Sequence, residues 1–139
     1  MKKHGILNSS IAKVLADMGH TDSIAIGDAG LPIPLDVEKI DVAVREGLPS
    51  FVDVYDALIA DMHVETLLLA EEIKTENPNI LEAIRKRAPK VDIVFVSHER
   101  FKELLSNTRA VVRTGEVTPY ANVIMVSGVS FSKEDDHEN

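Results

Sequence analysis

Ser23-Ile24-Ala25-Ile26-Gly27-Asp28-Ala29-Gly30-Leu31-Pro32-Ile33-Pro34 is the stretch on which the fold turns. Its first five residues are a short, partly β-branched run bounded by Asp22 and Asp28, the pattern of a buried strand. Two prolines then remove ladder donors and fix φ, so residues 28–34 form a loop leaving the strand's carboxyl end. Upstream, Ile11, Val14, Leu15 and Met18 recur at i, i+3, i+4 and i+7. This spacing predicts a helix over 10–18, with Asn8 or Ser9 as cap and Gly19 as its stop.

Downstream the same reading repeats. A strand is predicted over 39–44 from the alternation of Ile40, Val42 and Val44, and a helix from Phe51 to Met62 behind a Ser50 cap. Residues 64–70 read as a strand running into a helical turn at 71–74, although Leu67-Leu68-Leu69 would also suit a helix. Asn77-Pro78 opens a helix as cap and first-turn proline, and Pro89 ends it. Strands follow over 91–96, 110–114 and 122–127, with a helix from His98 to about Leu105 capped by Ser97. Strands alternating with helices predict a single three-layer α/β domain with a mostly parallel central sheet flanked by helices, over residues 1–131.

Composition narrows the function. The 139 residues, 45% of them apolar, suit one domain with a sizeable core. A net charge of −8 opposes nucleic acid and anionic membranes, so neither is an expected partner. Cysteine is absent, which excludes disulfides, thiolate metal sites and cysteine nucleophiles. No apolar run reaches signal-peptide or bilayer-spanning length, so a cytoplasmic protein is expected. Residues 132–139 set one Lys against Glu134, Asp135, Asp136 and Glu138 and read as an acidic, disordered tail.

No phosphate loop, dinucleotide fingerprint or His-Glu-x-x-His motif occurs, and no two His stand at helical ligand spacing, so no cofactor or metal is expected. Sites in open α/β sheets lie outside the carboxyl ends of strands. Four segments are assigned there: 20–22, 28–34, 97–98 and 118–122. His20 follows the end of the first helix, where partial negative charge, with Asp22 nearby, suits a proton donor. His98 opens a later helix, where the opposite field suits a proton acceptor. Structural readings stand beside these: His20 can cap helix carbonyls, His98 can be an ordinary first-turn residue, Asp28 can bond the backbone of the 28–30 turn, and Tyr120 and Asn122 can be turn residues after Pro119.

Lys3-His4-Gly5-Ile6-Leu7-Asn8, Gly19-His20-Thr21-Asp22, Asp28-Ala29-Gly30-Leu31-Pro32, Ser97-His98-Glu99, Arg113-Thr114-Gly115-Glu116, Thr118-Pro119-Tyr120-Ala121-Asn122 and Gly128-Val129-Ser130-Phe131 occur in that order. In these motifs the chain resembles the D-ribose pyranase family of sugar mutarotases, which includes fucose mutarotase relatives. The resemblance implies interconversion of the β-pyranose and β-furanose forms of D-ribose, supplying the furanose to ribokinase, by a homodecamer of two stacked pentameric rings with sites near subunit contacts. It implies His20 as the proton donor, with Asp28, His98, Tyr120, Ala121 and Asn122 contacting the sugar. His98 and Asp28 both remain open as the second acid/base group. A fucose-type or broader mutarotase, and a non-enzymatic sugar-binding accessory of ribose uptake, are the alternative readings.

Overall fold

The computed structural model describes residues 1–129. The acidic tail, and the last two residues of the closing family motif, lie outside them. Asn8 proves to be the first cap: its Oδ1 accepts from Ile11 N at 2.9 Å and opens α1, Ser9–Asp17. The helix ends without a left-handed glycine. Met18 is extended and bonds back to Leu15 O, while Gly19 N–H donates to Asp22 Oδ2 at 2.9 Å.

The sequence then forms β1 (Ser23–Gly27), β2 (Glu38–Asp41), α2 (Phe51–Ile59), β3 (Val64–Ala70), α3 (Ile73–Glu76), α4 (Pro78–Arg87), β4 (Asp92–Val96), α5 (His98–Leu104), a 3-10 turn (Leu105–Asn107), β5 (Ala110–Arg113) and β6 (Val123–Ser127). β2 stops short of the predicted Val44 because its partner β5 turns away after Arg113. Thr114 N–H donates to Gly27 O, and past the ladder Ala43 N–H turns to Asp41 Oδ1 and Val44 N–H to Leu48 O. α2 ends three residues before Met62, closed by an Asp61 N–H bond to Leu58 O.

The six strands lie in the order β2-β5-β1-β6-β3-β4. Five run in one direction, and β6 is antiparallel to both its neighbours, β1 and β3. The sheet is therefore mostly parallel. Strand residues alternate between two apolar clusters. Ile24, Ile26, Leu67, Leu69, Val123 and Met125 pack with α1, α2 and α4 through side chains such as Ile11, Phe51, Tyr55 and Ile84. Ala25, Val111 and Ile124 pack with Leu31, Phe101 and Leu105. This alternation decides the leucine run for strand, since Leu67 and Leu69 share one cluster and Leu68 packs on the other. Burial pushes the Tyr55 hydroxyl up to about 12, and it donates to Ile84 O at 3.3 Å.

Leu69 is fully buried in the larger cluster. Leu69→Ala is expected to destabilise the fold by about 2–5 kcal/mol through lost burial and the cavity left behind. Urea unfolding should show a lower midpoint at an unchanged slope.

Candidate active site

Because β6 alone is reversed, its amino end lies beside the carboxyl ends of the other five strands. The connections after β1, β4 and β5 and the residues entering β6 therefore meet at one end of the sheet. There Asn122 Oδ1 accepts from Asp28 N at 2.8 Å, and Asp28 Oδ1 accepts from Gly30 N at 2.9 Å. Gly27 permits this approach: a Cβ on it would lie 2.6 Å from Leu31 Cδ2 and 3.5 Å from Asn122 Oδ1. The His98 ring meets Tyr120 edge-on, with centroids 5.0 Å apart at 87°. Asp28, His98, Tyr120 and Asn122 thus form one cluster. Ala121 lies between Tyr120 and Asn122, is fully buried and packs its methyl in the core.

Two polar atoms of the cluster, His98 Nδ1 and Asn122 Nδ2, are buried without a hydrogen-bond partner among the described residues. Tyr120 holds φ at +57°, a left-handed conformation that costs a non-glycine residue about 1–2 kcal/mol. Such strain persists where the surroundings over-determine the backbone. Asn122 N–H donates to Tyr120 O at 2.9 Å on one side, and Thr118 and Pro119 are bonded to Asn77 on the other.

Sequence reasoning missed the residues that support the cluster. Glu72, at the start of α3, accepts the His98 N–H on both carboxylate oxygens, at 3.0 and 3.2 Å. Glu116 accepts from Phe51 N at 2.9 Å and from Thr118 Oγ1 at 2.7 Å. Glu116 stands in one of the recognised motifs, whereas nothing local distinguishes Glu72 from a solvated acid. Asn77 was legible only as a helix cap.

His20 does not join them. It precedes β1 and Asp28 follows it, so the two lie at opposite ends of a five-residue strand, roughly 16 Å of chain at about 3.3 Å per residue. The assignment of residues 20–22 to the carboxyl ends of the strands is therefore corrected: they sit at the amino end of β1. Thr21 N–H bonds to Ser127 O, and Gly128 N–H bonds to His63 O, at the exit of β6. The partner of His20 is also not Asp22. Its Nε2 lies 2.7 Å from Glu65 Oε1, and both side chains are about half exposed, at 52% and 48%. A cleft of about 470 Å³ opens there, lined by Met18, His20, Asp61, His63 and Gly128.

Among the described residues no group of three or more His, Asp or Glu is placed to hold a metal ion, and no helix is long and apolar enough to cross a membrane. A mostly parallel sheet ending in a cluster of neutral donors and acceptors, with one histidine and one carboxylate, defines an α/β protein suited to binding a polyhydroxyl compound.

The chain belongs to the RbsD / FucU transport protein family, whose model matches residues 1–130. It is 53% identical to the D-ribose pyranase of Lactobacillus gasseri over 131 residues, 94% of this chain and all of that one. Among solved structures it is similar to Bacillus subtilis RbsD complexed with D-ribose, with a TM-score of 0.92 and 50% identity over 94% of this chain and 100% of that one. The fucose mutarotase of Streptococcus pneumoniae in complex with L-fucose superposes with a TM-score of 0.79 at 25% identity, covering 92% of this chain and 99% of that one.

Proposed function

We propose that this chain is a D-ribose pyranase, an isomerase that interconverts the β-pyranose and β-furanose forms of D-ribose by acid/base ring opening and reclosure. The observation that carries this reading is the pair of buried, unpartnered atoms, His98 Nδ1 and Asn122 Nδ2, beside Asp28 and Tyr120. A buried polar atom without a partner costs about 1–3 kcal/mol. Sugar hydroxyls, which both donate and accept, would relieve that cost at both atoms. Relatives at about half identity over nearly the whole chain carry the same activity in their names.

In the forward direction the anomeric hydroxyl gives its proton to a base, and a C1=O bond forms as the C1–O5 bond breaks. O5 takes a proton from an acid, leaving the open-chain aldehyde. After rotation about the carbon chain O4 attacks C1 and loses its proton while the carbonyl oxygen gains one, closing the furanose ring. Protons balance, and each protein group acts once as acid and once as base. His20 is the proton donor to the ring oxygen. Glu65 holds its ring through Nε2 and leaves Nδ1 to reach the sugar. Asp28 and His98 both remain candidates for the second proton-transfer group, with Tyr120, Asn122 and the Ala121 backbone contacting hydroxyls.

The separation of His20 from the cluster along β1 supports a site completed by a second copy of the chain, His20 from one meeting the cluster of the other. The homodecamer of two pentameric rings is an assembly in which every site could be completed this way. A cytoplasmic location goes with this reading, since the furanose product serves a kinase acting after uptake. The apolar clusters on the two sheet faces, one under α1, α2 and α4 and the other under α5, support the three-layer arrangement.

Magnetisation-transfer NMR on equilibrated D-ribose tests the proposal. The protein is expected to accelerate exchange between pyranose and furanose signals far above the uncatalysed rate. Acceleration of L-fucose exchange alone would make it a fucose-type enzyme, and no acceleration of either would leave a sugar-binding accessory.

A further inference from the structure

We propose that Asn77 is a positioning residue for the sugar-contacting segment 118–122, an inference that rests on the assignment of that segment to the ribose site. Asn77 directly precedes Pro78, the first residue of α4, where an Asn side chain ordinarily accepts a hydrogen bond from the free N–H groups of the helix. Here it makes no such bond. The side chain is buried, and its Nδ2 donates to Thr118 Oγ1 at 2.9 Å and to Pro119 O at 2.8 Å. Both amide hydrogens are therefore directed at a segment 41 and 42 residues away in sequence. Thr118 passes the connection on, donating to Glu116 Oε2 at 2.7 Å, and Glu116 Oε1 accepts from Phe51 N at 2.9 Å. The segment is thus pinned to the starts of both α2 and α4.

The residue after the pinned Pro119 carbonyl is Tyr120, with its left-handed φ of +57° and its edge against the His98 ring. Beyond it, Asn122 closes on Tyr120 O and on Asp28 N. Tyr120 is consequently held from both sides, and Asn77 supplies the anchor on its amino side. Removing that anchor lets the strained residue relax and carries Tyr120 away from His98, so the ligand must then supply the ordering that the protein supplied before.

A capping role and a positioning role forecast opposite results for Asn77→Ser and Asn77→Asp. Both replacements cap helices as well as Asn does, but serine is too short to reach Thr118 and Pro119, and aspartate cannot donate to them. In the ribose exchange assay each folded variant is expected to raise KM about ten-fold, the scale of one lost net hydrogen bond, with a much smaller change in kcat. The NMR signals of the Tyr120 ring should shift even without sugar, as its packing on His98 loosens. Wild-type KM together with unmoved Tyr120 signals in either folded variant would overturn the proposal. If the unaltered protein fails to accelerate ribose exchange, the pyranase reading falls instead, and the Tyr120 shifts in the two variants still decide whether Asn77 positions the segment.

Discussion

His20→Ala is expected to slow pyranose–furanose exchange of D-ribose by about 10²–10⁴-fold, the usual contribution of one positioned proton-transfer group. The reason lies in ring opening itself. O5 cannot leave C1 as a free alkoxide without a large energetic cost, so the acid that protonates it acts in the transition state rather than in binding. Ribose affinity should fall far less, because the proposed hydroxyl contacts are those of Asp28, His98, Tyr120 and Asn122 at the other end of the sheet. The fold should be intact as well: His20 is half exposed, and its side-chain partner is the equally exposed Glu65. Magnetisation transfer at saturating ribose, with sugar binding followed separately, checks both parts. Exchange within a few-fold of the unaltered protein would remove His20 from the chemistry.

Two inactive variants should restore each other. His20→Ala retains the cluster around His98 and Asn122, while Asn122→Ala retains His20 and is expected to be nearly inactive through loss of both the proposed sugar contact and the bond that holds Asp28. If His20 of one copy completes the cluster of another, co-refolding the two at equal ratio gives sites drawn at random from both chains. About a quarter of the sites then combine an intact His20 with an intact cluster, so roughly a quarter of the full activity should return. A site contained within one chain forecasts no recovery at any mixing ratio. Recovery that rises and falls with the proportion of the two variants, peaking near equality, would identify the shared site directly.

The fold was largely legible because its signals are local. The i, i+3, i+4 spacing of α1, the Ser50 and Ser97 caps and the apolar runs of β1, β3 and β5 act over one or two turns or a single strand, and each element formed within a few residues of its predicted bounds. The departures have non-local causes. β2 ended early because β5 ended, and the end of α1 was set by Met18 and by Asp22 taking the Gly19 N–H, without a left-handed glycine. Asn77 beside Pro78 has a cap's local pattern, yet its side chain makes no cap bond and its Nδ2 donates to Thr118 and Pro119.

By itself the sequence determined an α/β chain with a mostly parallel sheet, a family, and a set of polar residues suited to sugar hydroxyls. Those properties follow from periodicity, capping, composition and contiguous motifs, which the chain carries residue by residue. The tertiary structure alone decided which residues meet. Reversal of β6 brings Asn122 beside Asp28, and the direction of β1 sends His20 to the opposite end, where Glu65 rather than Asp22 holds it. Strand direction and sheet order are chosen by the packing of the whole core, where burial on both faces must be satisfied at once, and no window of sequence contains that sum.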